Sequence, residues 1–162
     1  MQKHRDGTEP ASLEERDSPP GLLLVAHGAG NSLRRMRQAV AAGVAFVEAD
    51  LWLEGSRFVA RHGRRLGSLR LLYDKWHVRP YLRPFTLDTI LTADPPGLFL
   101  DVRGGRDDVL RPLVEALREA GALERSVLTS QDWLLLDKAR EHEPRLRLSY
   151  SVGHRGHLGP LV

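Results

Sequence analysis

The sequence predicts an α/β fold assembled from parallel βα units, and two features carry that expectation. Short continuous apolar runs recur along the chain, the mark of strands buried on both faces. Between them lie helical segments bounded by capping residues and glycines. Strand and helix alternating at this spacing fit two architectures, a doubly wound sheet and a (β/α) barrel.

The elements follow in order. The run Gly21-Leu22-Leu23-Leu24-Val25-Ala26 reads as the first strand. Gly28, Gly30 and Asn31 make a turn, Ser32 is placed to cap a helix over 33–42, and Gly43 stops it. A second strand covers 44–53, and a short strand over 58–60 ends near His62. Residues 63–84, broken by Pro80 and Pro84, read as irregular. Thr86 caps a short helix through Leu91, and a strand over 98–102 follows Pro95-Pro96-Gly97. An amphipathic helix over 107–120 closes at Gly121. A strand over 126–130, a helix over 132–141 and a last strand over 146–152 complete the series. Residues 1–20 are polar, hold Pro19-Pro20 and lack the apolar core of a secretion signal, so they read as a disordered leader. Residues 21–162 then form one domain.

Composition narrows the function. No apolar run approaches the ~20 residues of a membrane helix. The chain has no cysteine, which removes disulfides, thiolate metal sites and cysteine nucleophiles. That fits a reducing compartment, and the cytoplasm is the expected location. The net charge of +3 comes largely from arginines around 34–37 and 61–70. No aromatic residues are interleaved with them for base stacking, so a solvated surface is expected rather than a nucleic-acid site.

The chemistry gathers at strand ends. His27 directly follows the first strand. Glu48 and Asp50 lie two apart on the second strand, so they share a face, with Val47, Ala49 and Leu51 on the other. Two carboxylates facing inward need a positive partner, and a hard divalent cation with oxygen ligands is the natural one. Asp101 and Arg103 repeat the pattern at a later strand end. Alone they read as a salt bridge, with metal ligand plus phosphate-binding cation as the alternative. His62 stands just past the short strand.

These residues resemble an ordered set of motifs. Val25-Ala26-His27-Gly28-Ala29-Gly30-Asn31-Ser32 is similar to the opening of the glycerophosphodiester phosphodiesterase family, a strand ending in His-Arg-Gly followed by Glu-Asn-Thr. Glu48-Ala49-Asp50 resembles its Glu-x-Asp, and Val59-Ala60-Arg61-His62-Gly63 its Val-Val-x-His-Asp. The run from Pro84 to Leu91 resembles its Pro-Thr-Leu-x-Glu-Val-Leu helix. Leu100-Asp101-Val102-Arg103 occupies the place of Glu-x-Lys, and Thr129-Ser130-Gln131-Asp132 that of Ser-Phe-Asp. The sequence departs from the pattern at Gly28, Gly30, Gly63 and Asp101.

The resemblance implies a (β/α) TIM-barrel-like fold, incomplete at about five βα units. It implies His27 and His62 as the catalytic acid/base pair, with Glu48, Asp50 and Asp101 as ligands of Mg²⁺ or Ca²⁺. Arg103 would contact the substrate phosphate. The substrate would be a small phosphodiester of glycerol, opened through a cyclic phosphate made by its own hydroxyl. The alternative is a truncated or degenerate non-catalytic barrel module that binds phosphoester ligands or only assembles. Five strands cannot close an eight-stranded barrel, so Leu24 and Leu148, or their immediate neighbours, are expected to lack an opposing wall and the open edge to favour homo-oligomers. The run His154-Arg155-Gly156-His157 repeats the motif letters but follows the fifth strand, and is read as a loop.

Overall fold

The computed structural model describes residues 22–67, 69, 71–74, 76–80, 85–104 and 107–152. The expected leader and the run at 154–157 lie outside these described residues. In chain order the strands are β1 (Val25–Ala26), β2 (Phe46–Glu54), β3 (Arg57–Ala60), β4 (Arg64–Arg65), β5 (Leu71–Asp74), β6 (His77–Pro80), β7 (Phe85–Thr86), β8 (Leu98–Arg103), β9 (Ser126–Ser130) and β10 (Arg147–Tyr150). The helices are α1 (Leu33–Ala41), α2 (Leu87–Thr92), α3 (Leu110–Glu119) and α4 (Trp133–His142).

The strands β1, β2, β8, β9 and β10 are mutually parallel and hydrogen-bonded in chain order. A doubly wound sheet reverses its strand order part-way. No reversal occurs here. The described residues form a mixed α/β fold around a parallel sheet, without a closed barrel. Register divides the sheet into two faces. Val47, Ala49 and Leu51 align with Leu98, Leu100 and Val102, and all are buried in one core with Met36, Leu113, Leu117 and Leu136 of the helices. The other face carries Glu48, Asp50, Asp101 and Arg103, in register across β2 and β8.

The sequence-predicted elements are largely present, with four corrections. The strand at 57–60 is not part of a parallel βα unit. Gly55, at φ 62, turns the chain back, and β3 runs antiparallel along the upper end of β2, beyond the reach of β1. Residues 63–84 are not irregular: β4, β5 and β6 form a separate antiparallel sheet. The first strand is only two residues long, because β2 begins at Phe46 opposite Val25; before it only the Leu24 carbonyl is engaged, by the Ala45 and Phe46 amides, and the Leu24 residue is 42% exposed. Leu148 does not face the carboxylate side of the sheet, whereas its neighbours Arg147 and Ser149 alternate to that side. Its register with Leu128 and Leu100 puts it on the helix side, packed against the core.

Capping explains where the helices begin and end. Thr86 accepts from the Thr89 amide and Asp132 from the Leu135 amide, each satisfying an orphan donor of a first turn. Ser32 stands at the start of α1 as expected, but its side chain makes no capping bond. At the far end of α4, Glu143 is buried and gathers Arg118 of α3 (2.7 Å) with the guanidinium and amide of Arg145. Hydrogen bonds from both arginines pull its pKa from 4.5 to about 2. A depressed acid contributes stability above its unfolded pKa and loses it as pH falls through the folded one. Glu143→Gln should therefore lower the melting temperature near neutral pH, with the difference from wild type shrinking between about pH 4.5 and pH 2. Thermal scans across that range check it; a difference independent of pH would leave Glu143 no electrostatic role.

Candidate active site

The parallel register of β2 and β8 sets Asp50 directly beside Asp101, and strand alternation brings Glu48 to the same face. All three are buried, and their carboxylate oxygens lie within 4.8 Å of one another. Glu48 Oε2 accepts from the Gly28 amide and lies 3.2 Å from His27 Nδ1. Asp50 accepts from Asn31 Nδ2 (2.8 Å), while its own amide donates to Asn31 Oδ1 (3.0 Å). Arg103 Nη2 reaches Asp50 at 2.8 Å and Asp101 at 2.5 Å. One acceptor is left over: Asp101 Oδ1 is buried with no hydrogen-bond partner.

The electrostatics match that shortfall. Burial raises the Asp101 pKa to about 6 against the pull of Arg103, with Asp50 and Glu48 adding to the rise. Burial also raises Glu48, partly offset by the Gly28 amide. Three buried carboxylates around one guanidinium are under-neutralised, and one of their oxygens, Asp101 Oδ1, has no donor. An oxygen-only donor set with unspent negative charge fits a hard divalent cation such as Mg²⁺ or Ca²⁺.

The loop before α1 explains one departure from the motif pattern. A Cβ on Gly30 would sit 2.7 Å from the Ala49 Cβ and 2.8 Å from the Glu48 carbonyl oxygen. The turn at Ala29–Asn31 therefore packs directly on β2, and this brings Asn31 to Asp50. Gly30→Ala should cost about 1–3 kcal/mol of stability, as overpacking does. It should also displace the Asn31 side chain, whose amide resonances in an NMR spectrum would shift; unchanged resonances and stability would show that the loop yields freely. Gly28 lies at φ 64, a left-handed conformation in which an arginine would be strained.

His62 and His27 stand in different settings. His27 is 79% exposed, held only at its Glu48 contact among the described residues. His62 lines a cleft of about 260 Å³ with Asp50, Trp52, Gly63, Arg64, Arg103 and Gly104. Its Nδ1 lies 2.6 Å from Asp74 Oδ1, at the end of β5. Gly63, at φ 100, permits this approach, since a Cβ there would meet the Tyr73 carbonyl oxygen at 2.7 Å and the Asp74 Cβ at 2.9 Å. Arg61 does not reach into the cleft as a spare cation: it ion-pairs with Glu54, donates to the Gly63 carbonyl and stacks 4.4 Å from the Trp52 ring centre. Arg103 remains at the cleft, one-third exposed, tied to the carboxylates.

Comparison with known proteins adds the fold. No protein-family model and no curated protein sequence matches the chain. Among solved structures, a glycerophosphodiester phosphodiesterase from Parabacteroides distasonis aligns over 79% of this chain and 64% of its own, at 17% identity and a TM-score of 0.64. The glycerophosphoryl diester phosphodiesterase domain of an uncharacterized Mycobacterium tuberculosis protein aligns over 80% and 59%, at 21% identity and 0.61. A glycerophosphodiester phosphodiesterase from Agrobacterium tumefaciens aligns over 78% and 65%, at 12% identity and 0.61. The fold is that of the glycerophosphodiester phosphodiesterases. The chain spans about six-tenths of the length of these structures.

Within that glycerophosphodiesterase fold, Asp101 lies past the middle of β8, Asp50 stands opposite it at the midpoint of β2, and Glu48 lies two residues earlier on the same face. Two contributors escaped the sequence reading. Asn31 was read as a turn residue, although its place in the Asn-containing motif offered a signal. Asp74 offered none, because it lies twelve residues from His62 in a stretch read as irregular.

Proposed function

We propose that the chain carries the metal-binding and acid–base groups of a divalent-metal-dependent phosphoric diester hydrolase. Its substrates are glycerophosphodiesters, cleaved to glycerol 3-phosphate and an alcohol in lipid metabolism. The carrying observation is the buried Glu48, Asp50, Asp101 cluster with its unpartnered Asp101 Oδ1. In this reading the sheet is five strands of an incomplete (β/α) barrel, exposed at its edge and prone to homo-oligomerise there, in the cytoplasm.

Glu48, Asp50 and Asp101 would hold Mg²⁺ or Ca²⁺. When bound, the cation neutralises charge on the non-bridging phosphate oxygens. Arg103, at the cleft beside Asp50, supplies a fixed guanidinium to the same phosphate. A phosphodiester also needs one proton taken from the attacking hydroxyl and one given to the leaving alkoxide. His62 and His27 share this work. Asp74 on Nδ1 fixes the tautomer and the orientation of the His62 ring. Asn31 braces Asp50 against rotation.

Hydrolysis of glycerophosphocholine should release glycerol 3-phosphate with Mg²⁺ or Ca²⁺ present and stop in EDTA. Turnover indifferent to EDTA would remove the metal. One observation favours a second reading, a non-catalytic module. Arg103 already bridges Asp50 and Asp101, so the guanidinium could itself be the resident cation. Titration calorimetry separates the two: that module takes up no divalent cation.

A further inference from the structure

Positive charge is concentrated in one segment. Residues 61–83 hold seven arginines and lysines and one acid, a net +6 in a chain of net +3. The sheet β4–β5–β6 lies within this segment and exposes apolar side chains at Leu66, Leu69, Tyr73, Trp76 and Val78. Tyr73 stands opposite both Arg64 and Val78 in the ladder, so the three share a face. Leu72 points the other way and is buried. Trp76 sits in the connection between β5 and β6, 89% exposed, at φ 72. A bulky side chain in the left-handed region is strained, and no packing among the described residues holds it there.

Two anionic partners would answer the charge, nucleic acid and a lipid surface. The apolar set decides between them. Leu69 and Val78 cannot stack on bases, whereas a bilayer interface takes tryptophan and tyrosine at headgroup level, aliphatic groups just below, and arginines on the headgroup phosphates. We infer that the β4–β5–β6 sheet is a docking surface for an anionic lipid bilayer, with Trp76 as its inserted tip and Arg64 among its headgroup contacts. Arg64 and Gly63 also line the cleft that contains His62, Asp50 and Arg103. Docking therefore sets the mouth of the cleft against the headgroups. That last consequence rests on the function proposed above; the docking itself does not.

The full chain should co-sediment with phosphatidylcholine vesicles containing about a third phosphatidylglycerol, and not with pure phosphatidylcholine. Binding should weaken with added salt. Trp76→Ser should lower the partition coefficient about tenfold and abolish the blue shift of tryptophan emission. Arg64→Gln should lower the partition coefficient about fivefold. Brominated lipids should quench emission of the unmodified chain, a readout that does not depend on any variant folding. Hydrolysis of soluble glycerophosphocholine should be unaffected by Trp76→Ser. If no hydrolysis is seen at all, the proposed reaction fails while vesicle binding still decides the docking surface. The inference is overturned by absence of vesicle binding, by equal binding of Trp76→Ser, by binding to RNA without binding to vesicles, or by a dimer that occludes Trp76 in place of a bilayer.

Discussion

Asp101→Asn should abolish cation-dependent hydrolysis and, in EDTA at pH 7.5, make the protein more stable. The two effects have one source. Asp101 is buried beside Asp50 and Glu48, and its pKa is raised from 3.8 to about 6. A raised acid contributes stability below its unfolded pKa and loses it as pH rises through the folded value. Metal-free wild type should thus weaken between about pH 4 and pH 6, while the asparagine variant, with no proton to lose there, should not. With a discount for solvent screening and for coupling to Asp50 and Glu48, the gain is about 1–2 kcal/mol. It comes despite losing the charge on the Arg103 contact, whose attraction is already outweighed by burial. Mg²⁺ or Ca²⁺ should reverse the order, raising the melting temperature of wild type and leaving the variant unmoved. Thermal unfolding in EDTA and in each cation, at pH 5 and pH 7.5, reads all of this. A variant less stable than wild type in EDTA at pH 7.5 would show that the carboxylate is not under electrostatic strain. A wild type indifferent to both cations would leave the cluster to Arg103.

The legibility of this chain in its sequence followed the range of the physics involved. The period-2 alternation of β2 put Glu48 and Asp50 on one face, and the structure keeps them there because Val47, Ala49 and Leu51 are needed in the core. The cap at Thr86 and the stop at Gly121, φ 62, are local and were readable. The β3 hairpin was not, since a strand's direction depends on which neighbour has a free edge, and β1 ends below that level. The antiparallel sheet at 64–80 was hidden by Pro80 and by its short strands. Its consequence for the site, Asp74 against His62, joins two segments that no motif connects. The glycines divide in the same way. Gly30 and Gly63 were visible as departures from a pattern, but their reason is what a Cβ would strike: β2 in one case and β5 in the other.

Asp74→Asn should lower kcat while leaving KM nearly unchanged. The loss should fall between about tenfold and the 10²–10⁴-fold that a positioned acid–base residue supplies. The carboxylate lies 2.6 Å from His62 Nδ1 and can only accept there, so it fixes the ring proton on Nδ1. An asparagine can turn its amide toward the ring and favour the opposite tautomer, at nearly the same volume. Ring ¹⁵N shifts of His62 report the tautomer directly, without substrate, so this readout survives if the reaction is misassigned. Gly63→Ala offers a second route to the same state. Its Cβ would strike the Tyr73 carbonyl oxygen and the Asp74 Cβ, pushing β5 away from the histidine while both side chains keep their chemical identity. The expected result is that the two variants share one spectroscopic signature and one kinetic pattern. A His62 ring with unaltered ¹⁵N shifts in Asp74→Asn, together with full kcat, would reduce the contact to an ordinary surface ion pair.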